Sequence, residues 1–313
     1  MEYWQAFILG IVQGLTEFLP ISSTAHLKVV PAIFGWQDSG ISFDAVIQLG
    51  SIAAVVGYFW KDLSNITLGS IKAVRSQNYK SQEFKLAVAI ALGTLPILLV
   101  GLLIKILVPD YDNSPLRSLT AIAIASIVMS SLLALAEILG QRETKEKRHF
   151  QRVRVIDGIL MGLAQAMAII PGVSRSGSTL TAGLFLGLDR VAATRFSFLL
   201  GIPAITIGGV VEFISIAKKG FGGDIGAGQL AIGLFSSVIF SYLAIAWLLK
   251  FFQTHTTWVF VGYRLVFGAL LLTAIGVGGL NKTPNYLTVT RCFNLSIIIF
   301  KKCVFLKPDF GGL

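Results

Sequence analysis

Twice in this sequence an apolar helix stops where a membrane-length segment ought to run on, and those breaks restrict the fold more than any other feature. In the clearer one, GILMGLAQAMAII (158–170) ends at Pro171 and Gly172. The turn PGVSRSGST (171–179) then crowds Ser174, Arg175, Ser176, Ser178 and Thr179 ahead of the apolar LTAGLFLGL (180–188). An arginine between two apolar limbs is costly in hydrocarbon and marks function by default. Backbone donors at a broken helix, with a guanidinium beside them, make a site for anionic oxygens. The competing reading is an interhelical clasp in which the hydroxyls bond backbone carbonyls. A clasp accounts for the serines but not for Arg175.

The other break lies near the start. Trp4 to Leu19 carries Gln13 and Glu17 four residues apart, on one helical face, and ends at Pro20; ISSTAHL then begins a second limb reaching about Trp36. Neither limb spans a bilayer comfortably, so each break reads as a re-entrant hairpin. Irregular backbone at that depth is tolerated only where protein buries it or it lines a cavity.

Composition fixes the compartment. Apolar residues make up 54% and charged residues 13% of the chain, against roughly 25% charged in soluble domains. Successive apolar runs of about 20 residues predict an all-α polytopic membrane protein. Its net charge of +10 belongs to basic loops rather than to nucleic-acid binding. The chain opens MEYWQAF, without a basic leader, and both cysteines (Cys292 and Cys303) lie in the last stretch, which leaves the core without a disulfide framework.

In order, the first hairpin is followed by spans near Phe43–Trp60, Phe84–Leu107 and Leu119–Leu139, then by the basic loop QRETKEKRHFQRVR (141–154). The second hairpin (about 155–170 and 178–188) is followed by spans near 195–217, 229–250 and 258–279. GIVQG (10–14) answers GLAQA (162–166), and FDAVIQLGSIAAVVGYFW (43–60) answers RFSFLLGIPAITIGGVVEF (195–213). The expectation is one membrane domain, 1–280, made of two repeats (about 1–140 and 155–280), each a re-entrant hairpin plus three spans. Three crossings are odd, so the repeats are expected to be inverted, with the hairpin tips meeting near the midplane. Residues 281–313 read as a short disordered or interfacial tail.

Lys and Arg gather on one side, in 61–85, 141–154 and 190–195 and at Lys250. The other side holds only Lys105, Arg117, Lys218 and Lys219 before the tail. The basic side is therefore expected to be cytoplasmic, with both termini and the opening of the site facing the periplasm of a bacterial inner membrane.

The hairpins together offer the parts of a phosphoryl-transfer site. Arg175 is a cation for phosphate oxygens, and Ser22, Ser174, Ser176 and Thr179 are hydroxyl donors. Ser23 is a candidate nucleophile, and Glu17 and His26 are candidate bases or acids. A single glutamate is as readily structural, a lone histidine is more often a satisfied interior group than a catalyst, and water can replace Ser23 as the attacking group. No GxxxxGK[ST] motif supports nucleotide chemistry. Asp44, Gln48, Glu137, Glu212, Tyr263 and Arg264 are further polar residues in or near spans, each readable as structural or as a wall of the same cavity.

QGLTEFLPISSTAH (13–26) and PGVSRSGST (171–179), with FDAVIQLGSI (43–52) as a third block, closely resemble the signature segments of the bacterial undecaprenyl-diphosphate phosphatase family, the membrane-embedded type linked to bacitracin resistance. The resemblance covers about residues 1–280. It implies hydrolysis of undecaprenyl diphosphate to the monophosphate, recycling the carrier lipid for peptidoglycan synthesis. It also implies a site built on Gln13, Glu17, Ser23, His26, Ser174, Arg175, Ser176 and Thr179, and a divalent cation, magnesium or calcium, near Glu17 and Gln13. Gln13 stands where the family also has glutamate, which removes one anionic ligand, so the substrate diphosphate is expected to hold much of the ion. The expected partner is a polyprenyl diphosphate lipid, with an oligomer open. The reading from another class is a secondary transporter or lipid-phosphate flippase using the same cavity.

Overall fold

A computed structural model describes residues 1–36, 40–108, 111, 114–142, 146–219 and 226–278. The expected tail, 281–313, lies outside the described residues, as do Lys145 and the side chain of Glu212. Among the described residues the chain is helical: α1 (Tyr3–Phe18), α2 (Ser23–Phe34), α3 (Gly40–Tyr58), α4 (Trp60–Arg75), α5 (Gln82–Leu107), α6 (Leu119–Arg142), α7 (Val155–Ala166), α8 (Arg175–Phe185), α9 (Arg190–Lys219), α10 (Ala227–Thr254) and α11 (Trp258–Gly276).

Five of these, α5, α6, α9, α10 and α11, are long and apolar enough to cross a membrane, and α3 with α4 makes a sixth candidate bent by 67°. The expected class, an all-helical multi-span protein, is what the chain forms. Most of the basic stretch between the expected spans 43–60 and 84–107 is itself helical, as α4. Its polar and apolar residues alternate at helical spacing without forming a long apolar run, so a search for spans passes over it.

The two short pairs, α1–α2 and α7–α8, each turn at a serine with left-handed backbone: φ is 76° at Ser22 and 71° at Ser174. Each pair sinks its first limb into a helix from the far half of the sequence. α1 packs along α10 and α7 along α5, while α6 packs on α11 and α3 on α9. The α7–α5 approach is so close that a Cβ on Gly162 would run into the backbone of Gly93, which is why small residues recur there.

The end of the molecule that carries the 146–154 loop is tied by ion pairs. Asp62 meets Arg195 at 2.5 Å, Asp157 meets Arg148 at 2.6 Å, and Glu137 meets Arg190 and also accepts from Thr257 Oγ1 at 2.8 Å. The Asp157 carboxylate raises the Arg148 guanidinium above its ordinary value. At the other end, the α5–α6 connection reaches over the broken pairs: Tyr111 donates to Ile169 O at 2.8 Å and Arg117 O accepts from Lys28 Nζ at 3.4 Å.

Candidate active site

Glu17 sits on the last turn of α1, and its buried carboxylate collects donors from three directions. Ser23 Oγ, at the first position of α2, donates to Oε2 at 2.7 Å. Gln13 Nε2, one turn earlier on α1, donates to the same oxygen at 3.1 Å. Arg175 Nη2, at the first position of α8, reaches Oε1 at 3.5 Å. Gln13 is itself held by a serine cluster drawn from α3 and α10: it donates to Ser51 Oγ at 3.4 Å, which accepts from Ser241 at 2.9 Å and lies 3.2 Å from Ser237 Oγ.

These groups border a cavity of about 200 Å³. Its polar wall comes from both broken turns: Glu17, Ser22, Ser23 and Thr24 from the first, Gly172, Ser174 and Arg175 from the second, with Gln48 across from α3. Its apolar wall is Ile97 of α5 and Ala204, Ile205, Gly208 and Gly209 of α9. The Arg175 guanidinium is almost fully buried, and its Nη1 has no hydrogen-bond partner. An unpaired buried N–H is uncommon, and the guanidinium that carries it borders the cavity, the kind of group that binds anionic oxygens. Gly201 makes room for that nitrogen, since a Cβ there would occupy the same space.

The remaining residues expected at the site divide into two layers. Ser22 and Ser174 line the cavity. Ser174 Oγ also caps α8 by accepting from Gly177 N at 3.1 Å. Ser176 and Thr179 were expected to bind phosphate, yet neither lines the cavity. Ser176 Oγ donates to Leu19 O at 3.0 Å, latching one turn to the other. Thr179 Oγ1 donates to Arg175 O at 2.8 Å and lies 2.5 Å from Ser197 Oγ. Both hydroxyls are consumed in holding the turns.

His26, expected to act as base or acid on the cavity, also lies behind it. Its Nδ1 is 2.7 Å from Ser22 O and its Nε2 is 2.5 Å from the Tyr263 hydroxyl. A carbonyl only accepts, so Nδ1 carries the proton and Nε2 accepts from Tyr263. The ring is further fixed by stacking on Phe267 at 4.8 Å. Both nitrogens are thereby engaged away from the cavity.

Several residues carry more of the site than sequence reasoning gave them. Arg264, 1% exposed, donates from Nη1 to Pro20 O at 3.2 Å and from Nη2 to Gly172 O at 2.6 Å and Val173 O at 3.1 Å. One guanidinium thus satisfies carbonyls freed at both breaks. Gln48 joins the wall, whereas Glu137 belongs to the ion pairs at the far end. Only proximity in space identifies Gly201, Ser51, Ser237 and Ser241.

The donor set does not form a resident metal site. Among the described residues no three His, Cys, Asp or Glu side chains converge to hold an ion. The one carboxylate here stands against a guanidinium, and Gln13 turns its amide nitrogen toward it. A hard divalent cation takes about six oxygens.

A family model described as bacitracin resistance protein BacA matches residues 6–270. An undecaprenyl-diphosphatase of Synechocystis sp. is 61% identical over 278 residues, covering 89% of this chain and 84% of that protein. Another from Synechococcus elongatus is 60% identical over 280 residues, covering 90% and 96%. A third, from Gloeobacter violaceus, is 53% identical over 292 residues, covering 93% and 97%. Matched over that length and at those identities, the chain belongs to the bacitracin resistance protein BacA family.

Proposed function

We propose that this chain is an integral membrane phosphatase that hydrolyses undecaprenyl diphosphate to undecaprenyl phosphate and phosphate, returning the carrier lipid to cell-wall synthesis and giving resistance to bacitracin. The observation that carries the reading is the convergence of Glu17, Ser23 and Arg175 on one cavity with a polar and an apolar wall. The diphosphate lies against Arg175, Ser22 and Ser174, and the prenyl chain leaves along Ile97 and Ala204.

The short Ser23–Glu17 hydrogen bond makes the carboxylate the base for that hydroxyl. Ser23 Oγ attacks the terminal phosphorus as its proton passes to Glu17. The bond from that phosphorus to the bridging oxygen breaks, and the lipid monophosphate leaves with the electron pair. Glu17 passes that proton to the departing monophosphate and is again a carboxylate when water attacks the phosphoserine. It takes the water's proton and returns it to Ser23 Oγ as the bond from phosphorus to that oxygen breaks, releasing phosphate. Arg175 neutralises the charge that develops on the phosphoryl oxygens. His26 acts through position, holding Ser22 O and so the turn that presents Ser23. A divalent cation taking part would arrive coordinated by the diphosphate.

Two inverted repeats fit the packing: the exchange of α1 onto α10 for α7 onto α5, and the matched backbone at Ser22 and Ser174, are what a pseudo-two-fold axis generates. Among the described residues α4 has no counterpart in the second half. The basic end is cytoplasmic under the loop-charge rule. Ala204–Gly209 lie about 20–30 Å along α9 from Arg190 at 1.5 Å per residue, near the middle of that 30-residue helix. The cavity therefore lies at membrane depth, and the loop charges are what support an opening toward the periplasmic side.

The test is phosphate release from a polyprenyl diphosphate by the purified protein in detergent, with Glu17→Gln as control. Release that disappears in the control supports a phosphatase. No release, with lipid moving across vesicles instead, supports the transporter reading.

A further inference from the structure

We propose that α4 lies in the plane of the membrane–water boundary and takes acidic phospholipid headgroups along its basic edge. One face of this helix is spent on its own protein. Ile66 and Ala73 are buried, Gly69 packs against the side chain of Glu83, Ser70 donates to Glu83 O at 3.2 Å, and Asp62 pairs with Arg195 at 2.5 Å. A second apolar face has no such use. At 100° per residue, Trp60, Leu68, Ile71 and Val74 fall within about 120° of arc, and they are 64, 66, 46 and 51% exposed.

The chemistry of the rim selects the occupant. Lys61 and Lys72 are exposed and border the apolar stripe on one side, and Arg75 sits on the last turn. Asp62 is the only carboxylate between residues 60 and 75, and Arg195 holds it on the protein side. What α4 turns outward is therefore apolar and cationic together. That combination fits a lipid surface: the stripe enters the acyl boundary while the lysine stems reach up to anionic headgroups. The 67° bend from α3 points the same way, since the helix leaves the direction of the preceding span as it becomes too polar to continue it. The contact of Gln82, just beyond α4, with Val153 O puts this surface at the end that carries the basic loop.

The test uses the full chain with Cys292 and Cys303 replaced by serine and a single nitroxide label at Leu68→Cys or Asn65→Cys. The protein is reconstituted in phosphatidylcholine vesicles with or without phosphatidylglycerol, and collisions with oxygen and with a water-soluble nickel chelate are measured. The expected result is a Leu68 label reached by oxygen and shielded from nickel, and an Asn65 label open to nickel. Phosphatidylglycerol should draw the Leu68 label deeper. Lys61→Gln/Lys72→Gln/Arg75→Gln should abolish that response while phosphate release in detergent is unchanged. A Leu68 label open to nickel in both lipids overturns the proposal. Shielding from both reagents that grows with the protein-to-lipid ratio also overturns it, because a second copy then covers the stripe. A phosphatidylglycerol response that survives the triple substitution removes the basic edge as its cause.

Discussion

Ser22 and Ser174 hold the same backbone conformation, with φ of 76° and 71°, each at the residue that opens the second limb of a broken pair. Left-handed backbone costs an L-residue roughly 1–2 kcal/mol. Here it lets the chain reverse within the span of one turn and aim the next residue, Ser23 or Arg175, at Glu17. The two serines differ in one respect. Ser174 caps its helix through Gly177 N, and Ser22 makes no such bond. Ser22→Gly should therefore keep the parent's thermal stability in detergent or exceed it. Ser22→Val, with a branched Cβ at positive φ, should lose about 1–2 kcal/mol. Equal midpoints for the two variants would show that the turn is not strained.

Arg175 depends on an absence of side chain on α9. Because a Cβ at Gly201 would overlap Nη1, Gly201→Ala should displace the guanidinium from the cavity with the helix otherwise intact. The expected loss is roughly two orders of magnitude in kcat, the scale seen when one oxyanion donor is removed. Arg175→Lys should fall comparably, because a point charge cannot offer the planar fork. A Gly201→Ala enzyme with parental kcat would mean that the guanidinium works from another position.

The broken limbs were legible in the sequence because Pro20 and Pro171–Gly172 interrupt otherwise apolar segments and polar residues cluster immediately after them. The α5, α6, α9, α10 and α11 spans were legible for the same reason, as long apolar runs. What stayed hidden depends on residues far apart in the chain. Nothing local says that Ser176 bonds Leu19 O, that Tyr263 occupies the His26 ring, or that Ser51 and Ser241 hold Gln13. Helix α4 stayed hidden for another reason: an amphipathic surface helix carries no run of apolar residues, only a spacing.

Arg264 supplies another measurable case. It donates to Pro20 O, Gly172 O and Val173 O while buried, so its removal strands carbonyls on both turns. Arg264→Met keeps the volume and loses every donor. The expected cost is about 3 kcal/mol or more, since each unsatisfied buried group costs about 1–3 kcal/mol. Thermal unfolding in detergent checks it, and a midpoint unchanged from the parent would mean that water replaces the guanidinium.

Orientation can be read from Thr24, which is exposed on the cavity wall, whereas the neighbouring Ala25 is buried. With Cys292 and Cys303 replaced, Thr24→Cys should react with a membrane-impermeant thiol reagent added from the periplasmic side of spheroplasts. Labelling only after the cytoplasmic face is opened would place the cavity mouth on the inner leaflet.

The chemistry itself turns on Ser23 and Glu17. The hydroxyl donates to the carboxylate at 2.7 Å, and His26, with both ring nitrogens engaged by Ser22 and Tyr263, does not share that proton. If Ser23 is the nucleophile, Ser23→Ala and Glu17→Gln should each lose several orders of magnitude in kcat, and Ser22→Ala far less. His26→Ala should fall between them, because it loosens the turn without removing a reacting group. Rapid quenching with substrate labelled on the terminal phosphate should trap label on Ser23. If water attacks directly, the two serine variants lose modest and similar amounts, and no labelled serine appears. A Ser23→Ala enzyme that retains about a tenth of its rate, only some 1.4 kcal/mol of barrier, would exclude the covalent route. Glu17 would then be the base for water, with Ser23 reduced to holding a phosphate oxygen.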